Sequence, residues 1–366
     1  MMTPEHELIL DLCKFIRPDS EKIKRLMAYT LNWPYILGQL LFHRMGSAAY
    51  HILRECGLLG RLNREVRNTL KTVYNSAVIK SESIKCALAE LAGLLEIADF
   101  PFALLKGAYL ISLYPVGLRT SNDIDILISQ ADITRMEKLL KTYGFEQGNI
   151  RNGSFAPASR AEILSSRMNR GEVVPFIMRM DLPEMKFLEI DINFSLDFKA
   201  KQENDLVFDL LKKTQPLIKT ARGELFTLTP ADFLIHLCCH LYKEASVYAW
   251  VEMNRDLSLY KFTDIYLLLN KWGDTSFYSE LQERIIDHGL QKECYYALLY
   301  TSELFEYDGS RFNQLLCAIR PQDTRYLQSI VHPEEKKVYQ YQEGFTDWLF
   351  IHNRKEHLYE VTNEGT

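Results

Sequence analysis

The sequence predicts an α+β chain with a small mixed sheet in its middle and helical lobes before and after it. Three observations carry that expectation. Apolar residues recur at helical spacing over residues 1–99 and again over 203–366. Between them, residues 102–128 read as strand, glycine turn, short helix, loop and strand. Residues 186–196 alternate polar and apolar side chains, as a strand with one buried face does. The expected division is an N-terminal helical lobe over 1–99, a sheet-bearing core over 100–200 and a C-terminal helical domain over 201–366.

The first lobe opens with a helix over Glu5–Phe15, ended by Pro18, and a second over Glu21–Leu31. Asn32 caps a third helix that runs through Trp33, Ile36, Leu37, Leu40 and Leu41 towards Ala49. It carries His43 and Arg44, which read as structural or surface residues rather than catalytic ones. A long helix follows from about Arg61 to Ala98, with or without a break near Ala77–Ser83, and Leu88, Leu91, Leu94 and Leu95 form its core stripe.

In the middle segment the apolar run Phe102–Leu105 stops at Lys106-Gly107, and the helical stretch Ala108–Tyr114 stops at Pro115. Gly117 and Asn122 mark a loop before the strand Asp123–Ile128. Asp123 and Asp125 are two apart and project from one face. Two neighbouring carboxylates repel each other, and a hard divalent cation with oxygen ligands relieves that repulsion. Lys106-Gly107 stands where a strand opens into a helix, where backbone N–H groups and a lysine can meet phosphate. Arg119 is a second phosphate contact. An Asp-x-Asp strand alone is as readily a solvated edge. Beside a phosphate cradle it points to phosphoryl or nucleotidyl transfer, because independent local signals agree.

Further on, Asp132 caps a helix with Ile133, Met136, Leu139, Leu140 and Tyr143 on one face, closed by Gly144. Residues 147–171 read as an irregular insertion or mobile loop, with Arg151, Arg160, Arg167 and Arg170 facing phosphate, an acidic acceptor or solvent. Val173–Met180 and Lys186–Leu196 form a hairpin around Asp181-Leu182-Pro183-Glu184. On its second strand Phe187, Glu189, Asp191, Asn193 and Ser195 share a face. Thr229-Pro230-Ala231-Asp232 is a helix start. His236 and His240 then share a helix face, but Leu237 stands where a zinc protease needs Glu, so a structural or nucleotide-lining role is favoured over metal. The aromatic residues Tyr339, Tyr341, Phe345, Trp348 and Phe350 close over a core or form an interface, and the last six or so residues read as disordered.

Composition narrows the classes. The chain has 366 residues, 47% hydrophobic and 25% charged, which is ordinary for a globular protein of two or three lobes. Its net charge of −5 argues against an extended nucleic-acid partner while allowing a local basic pocket. The 7 cysteines are scattered without a Cys-x-x-Cys pair, so neither a disulfide framework nor a structural zinc site is indicated. With no signal-type or membrane-spanning apolar stretch, a soluble cytoplasmic protein without a membrane partner is expected.

Residues 102–128 resemble the signature of the polymerase-β-like nucleotidyltransferase superfamily. Leu-Lys-Gly-Ala, Leu-Tyr-Pro, Arg119 and Asp-Ile-Asp-Ile-Leu-Ile in particular resemble an uncharacterised bacterial nucleotidyltransferase family with the motif Lys-Gly … Tyr … Arg … Asp-Ile-Asp-Leu-Leu. Two residues depart from the pattern: Ala108 stands where the superfamily has Gly or Ser, and Asn193 where family members often have His. The resemblance implies a nucleotidyltransferase sheet, with Asp123, Asp125 and Asp191 as catalytic and metal-binding residues and Glu189 as the alternative third acid. It implies that Lys106, Gly107, Ala108, Arg119 and Ser121 meet the nucleotide, and that Mg²⁺ (or Mn²⁺) is the cofactor. It implies an NTP donor, ATP first among them, and transfer of NMP to a hydroxyl of a small molecule or of a protein or peptide, with release of pyrophosphate. The Thr-Pro-x-Asp stretch leading to His236, and Asp256 and Asp264 with Lys261 between them, also resemble that family, and Tyr260 and Lys261 are candidates to meet the base or triphosphate. The rival readings are a catalytically degenerate nucleotide-binding regulator on the same fold and a helical interaction protein.

Overall fold

The computed structural model describes residues 2–170, 173–196 and 205–361, with 167–170 and 205 described by backbone alone. Polar caps punctuate the first helices. Thr3, Asp19 and Asn32 each accept a backbone N–H at the head of α1 (Pro4–Asp11), α2 (Ser20–Leu26) and α3 (Trp33–Phe42). These side chains satisfy donors that a helix start leaves open. α3 ends at His43, and Arg44, with φ 59°, turns the chain into α4 (Gly46–Glu55). His43 and Arg44 therefore lie in a turn, not inside one helix reaching Ala49. α5 (Arg64–Leu95) runs for 32 residues without a break, and its leucines Leu88, Leu91, Leu94 and Leu95 are buried.

The middle of the chain supplies β1 (Phe102–Leu104), α6 (Gly107–Leu113), β2 (Asp123–Ile128), α7 (Ile133–Thr142), β3 (Glu146–Arg151), β4 (Ser154–Pro157), α8 (Arg160–Arg170), β5 (Phe176–Leu182), β6 (Met185–Asn193), α9 (Asp205–Lys212), β7 (Gln215–Thr220) and β8 (Gly223–Thr227). All eight strands form one mixed sheet in the order β4-β3-β5-β6-β2-β1-β8-β7. Ile124, Ile126, Leu188, Ile190 and Ile192 are all buried, and Asp123, Asp125, Glu189, Asp191 and Asn193 fall on the alternate positions of β2 and β6. Three corrections arise here. Of residues 147–171, expected as an irregular insertion or mobile loop, the described ones, 147–170, are not irregular: β3 and β4 form a hairpin whose two-residue turn, Asn152-Gly153, has φ of 51° and 72° at its centre, and α8 follows. Positive φ at both central positions matches the twist of a two-residue hairpin, and Asn-Gly is the pair that adopts it most readily. β7 and β8 fall in a stretch read as helical. Asp132, expected as a cap, makes no capping hydrogen bond and accepts from Arg135 instead, at 2.7 Å.

The chain continues as α10 (Pro230–Ala245), α11 (Tyr248–Glu252), α12 (Leu259–Trp272), α13 (Thr275–Asp287), α14 (Gln291–Phe305), α15 (Ser310–Ile319), β9 (Ser329–His332), β10 (Lys337–Gln340), α16 (Phe345–Phe350) and β11 (Tyr359–Glu360). Thr229 caps α10, accepting from the Asp232 N–H at 3.3 Å. β11, β10 and β9 make a second, antiparallel sheet. Contacts divide the chain into two units, Met1–Val73 with Leu234–Thr366, and Tyr74–Phe233. The eight-stranded sheet belongs to the second.

In the first unit the C-terminal aromatics are core. Phe345, Trp348 and Phe350 are buried, Tyr341 stacks on Trp348 with ring centroids 4.1 Å apart, and Phe345 stacks on Tyr300 at 3.6 Å. The disorder expected at the end falls on 362–366, outside the described residues. Arg354 is fully buried and grips Asp256, also fully buried, by a bidentate pair of hydrogen bonds at 2.8 and 2.5 Å. Removing one member of such a pair leaves a buried charge uncompensated, at a cost of about 3–5 kcal/mol. Asp256→Ala is therefore expected to lower unfolding stability by about that amount in a urea titration. Asp256→Leu combined with Arg354→Met should recover most of the loss; a single variant as stable as the parent would show that the pair does not anchor the C-terminal segment.

Candidate active site

β1 delivers the chain to Lys106, whose backbone is at φ 43°, ψ −120°. A non-glycine residue in that region is strained, and such strain gathers at functional positions. Leu105 donates to the Asp125 carbonyl at 2.9 Å, closing β1 on β2, and the Lys106 ammonium reaches the Asp125 carboxylate at 2.7 Å. Gly107 opens α6. A Cβ there would lie 2.7 Å from both Cβ and Oγ of Ser121, so only glycine allows this approach. The Ser121 hydroxyl in turn donates to Asp123 at 2.7 Å.

β2 and β6 pair in parallel, with Asp123 opposite Glu189 and Asp125 opposite Asp191. Directly paired residues share a face, so four carboxylates occupy one patch of the sheet. Asn193, two residues beyond Asp191, donates its amide to Asp125 at 3.3 Å. Burial pushes the Asp191 carboxyl well above the usual range, and the charges of Asp125, Asp123 and Glu189 push it further. Burial also raises Asp125, with Asp123 adding and the Lys106 ammonium opposing. Glu189 is raised by burial and then by Asp123 and Asp125. A patch of four carboxylates faces one lysine.

An all-oxygen, carboxylate-rich donor set is the chemistry that hard divalent cations take, and in that respect the residues fit Mg²⁺ or Mn²⁺. Among the described residues, though, no group of three or more His, Cys, Asp or Glu is gathered closely enough to hold a metal ion. Lys106, Asn193 and Ser121 hold Asp125 and Asp123 instead.

The other residues singled out from the sequence divide between the two units. Arg119, half-buried in the loop before β2, donates to the Thr120 carbonyl, and its own carbonyl accepts from Ser81. Ala108 is buried within α6. Arg151 pairs with Glu162 at 3.0 Å, Arg160 is exposed, and the side chains of Arg167 and Arg170 lie outside the described residues. Lys261 belongs to the other unit. It is ion-paired with Glu244 and donates to the carbonyls of Arg255 and Asp256, while the Arg44 guanidinium lies 5.2 Å from the centroid of the Tyr260 ring. His236 and His240 also lie in that unit, their rings stacked 6.3 Å apart, with His240 3.4 Å from Glu244. The structure gives two residues of β6 a larger part than the sequence assigns them. Asn193 is a partner of Asp125, and Glu189 belongs to the carboxylate patch together with Asp191; the alternation of Glu189-Ile190-Asp191-Ile192-Asn193 was the signal for both.

Two expectations follow from this geometry. A carboxylate with a raised pKa in the folded state contributes stability that is fully present below its unfolded pKa, about 4, and lost as pH rises through the folded value. Metal-free protein should therefore melt at progressively lower temperature as pH rises above about 4, and Asp191→Asn should flatten that slope. An unchanged slope in the variant would separate the pH dependence from this patch. Gly107→Ala should force Ser121 away from Asp123 and cost about 1–3 kcal/mol in chemical unfolding, as overpacking does; a neutral substitution would mean the turn has room to give.

The profile of a family described as uncharacterised nucleotidyltransferase matches residues 29–306. No curated protein matches the chain. Among solved structures, an antigenic nucleotidyltransferase-like protein from Paracoccidioides brasiliensis aligns with 14% identity and a TM-score of 0.33, over 63% of this chain and 99% of that one. The matched family span contains the Lys106-Gly107 turn, the Asp123-Ile124-Asp125 strand and its Asp191-bearing partner, and the chain belongs to the uncharacterised nucleotidyltransferase family.

Proposed function

We propose that the chain is a metal-dependent nucleotidyltransferase that moves NMP from an NTP to a hydroxyl of a small molecule or of a protein or peptide, releasing pyrophosphate. The observation that carries this reading is the parallel pairing of β2 and β6, which sets Asp125 opposite Asp191 and Asp123 opposite Glu189. Asp123, Asp125 and Asp191 would hold Mg²⁺ or Mn²⁺, which supplies charge neutralisation at the triphosphate and lowers the pKa of the acceptor hydroxyl. Lys106 exchanges Asp125 for phosphate and, with the Gly107 amide, Ser121 and Arg119, binds and orients the triphosphate. ATP is the first donor to try. Asp191, whose carboxyl is raised first by burial and then by its acidic neighbours, accepts the hydroxyl proton. The acceptor oxygen bonds to the α-phosphorus while the bond to the pyrophosphate oxygen breaks, so charge and protons balance. No helix among the described residues is long and apolar enough to cross a membrane.

A specific observation favours a second reading. Asp125 is already engaged by Lys106 and Asn193, and Ala108 offers no hydroxyl to a triphosphate. A catalytically degenerate nucleotide-binding regulator would have these features.

A melting scan against ATP, GTP, CTP and UTP, each with and without Mg²⁺, tests both. A nucleotide bound only by the native state at 100 times its Kd should add about 2.7 kcal/mol. The expected result is a shift that requires both metal and one nucleotide and disappears in Asp123→Asn/Asp125→Asn. Release of pyrophosphate on addition of an acceptor, reduced at least ~100-fold in that variant, separates the enzyme from the regulator. Nucleotide binding without pyrophosphate release across an acceptor screen would favour the regulator.

A further inference from the structure

Beyond the carboxylate patch lies a cleft of about 500 Å³ lined by Phe155, Ile177, Arg179, Lys186 and Phe187, with Glu146 at its side; Ile177, Arg179, Phe187 and Glu146 project from the patch's own face. The register ties it to the patch. Ile177 pairs with Glu189, Arg179 with Phe187, and Glu146 with Ile177; Glu189 in turn pairs with Asp123. Directly opposed residues lie on one face, so Glu146, Ile177, Glu189 and Asp123 form one row across four strands. Phe187 precedes Glu189 by two residues and shares its face.

The cleft sets two phenyl rings and an isoleucine among charged and polar side chains, a lining that suits an aromatic ring bearing polar groups. Phe155 and Phe187 are half-buried and Ile177 is buried. At Gly148, on the neighbouring strand, a Cβ would lie 2.6 Å from the Phe155 ring and 2.3 Å from the Ala156 carbonyl, so the absence of a side chain there lets the ring lie across the strand. Lys186 lies 5.2 Å from the centre of the Phe187 ring and donates to the Gly153 carbonyl at 3.2 Å. Arg179 is paired with Asp181 at 2.6 Å. Both cations have polar partners of their own, and Lys186 also lies over one face of the Phe187 ring, so ring surface and positive charge line the cleft together. The volume is that of a small-molecule site, which runs from about 300 to 1,000 Å³.

The strand order says which reactant belongs there. The proposed phosphate-holding residues, Lys106 and Gly107, follow β1, on one side of the paired strands β2 and β6. The cleft runs from the beginning of β6 over β5, β3 and β4, on the side of the pair away from β1. Attacking and leaving oxygens in phosphoryl transfer lie roughly in line on opposite sides of the phosphorus. With the triphosphate towards β1, the attacking hydroxyl comes from the side of β5. Resting on the nucleotidyl-transfer reading above, we infer that this cleft is the acceptor subsite and that the acceptor is a small molecule whose hydroxyl is carried by an aromatic ring system, stacked on Phe187 and Phe155.

Phenol and cyclohexanol serve as probes, read by saturation-transfer NMR on the full chain. Phenol should give the stronger transfer, and Phe187→Leu and Phe155→Leu, which keep apolar bulk but remove the ring, should each reduce it at least threefold with the melting temperature held. Equal signals from phenol and cyclohexanol, or leucine variants that bind phenol like the parent, overturn the inference. So does displacement of phenol by adenosine, which would make the cleft a nucleobase pocket, and so does tighter binding of the peptide Gly-Tyr-Gly than of phenol, which would make the acceptor a polypeptide. Phenol binding should persist in Asp123→Asn/Asp125→Asn. Loss of the Mg²⁺–nucleotide shift with phenol binding intact would therefore strike the catalytic reading, whereas loss of phenol binding with that shift intact would strike the subsite alone.

Discussion

The ion pair between Lys106 and Asp125 is the contact on which the rest of the site depends. Asp125 lies on a central strand with its carboxylate almost wholly out of water, beside Asp123 and opposite Asp191. A buried carboxylate among like charges is tolerable only with a compensating cation. Lys106 supplies it, and to do so its backbone adopts a conformation that a side chain normally disfavours. Gly107 and Ser121 follow from the same constraint. The turn after β1 must come close to the loop before β2 for the lysine to reach, and only a residue without a side chain permits that approach.

The parallel pairing of β2 with β6 turns two local motifs into one site. Each strand alone carries acidic residues two apart, which a solvated sheet edge does as well. Pairing them in register, one to one, stacks four carboxylates on one face and commits the opposite face, with Ile124, Ile126, Ile190 and Ile192, to the core. A slip of one residue would turn the acids into the face packed with isoleucines and the isoleucines into the carboxylate face, so the hydrophobic pattern enforces the alignment of the polar one.

Much of this was legible in the sequence because it rests on local rules. The β2 boundaries, the alternation of β6, the Asn32 and Thr229 caps and the Lys-Gly turn depend on residue type and a period of two or 3.6. What escaped depends on partners distant in the chain. β7 and β8 are short, and β7 begins Gln215-Pro216, poor strand chemistry on its own; the two are strands through their antiparallel ladder with each other and the Leu104–Thr227 pair that joins β8 to β1. The hairpin of β3 and β4 hid among arginines and serines, although Asn152-Gly153 marked its turn. The engagement of Asp256 with Arg354 crosses 98 positions, so nothing near either residue announces it.

The raised affinity of Asp191, Asp125 and Glu189 for protons has a consequence for any cation that enters the patch. Protons and a metal compete for the same carboxylate oxygens, so binding of the one is linked to release of the other. Affinity then climbs with pH, and the apparent heat of binding includes the ionisation heat of whichever buffer collects the released protons. Calorimetry in two buffers of different ionisation heat would count those protons directly, measuring how strongly the four side chains share their charge.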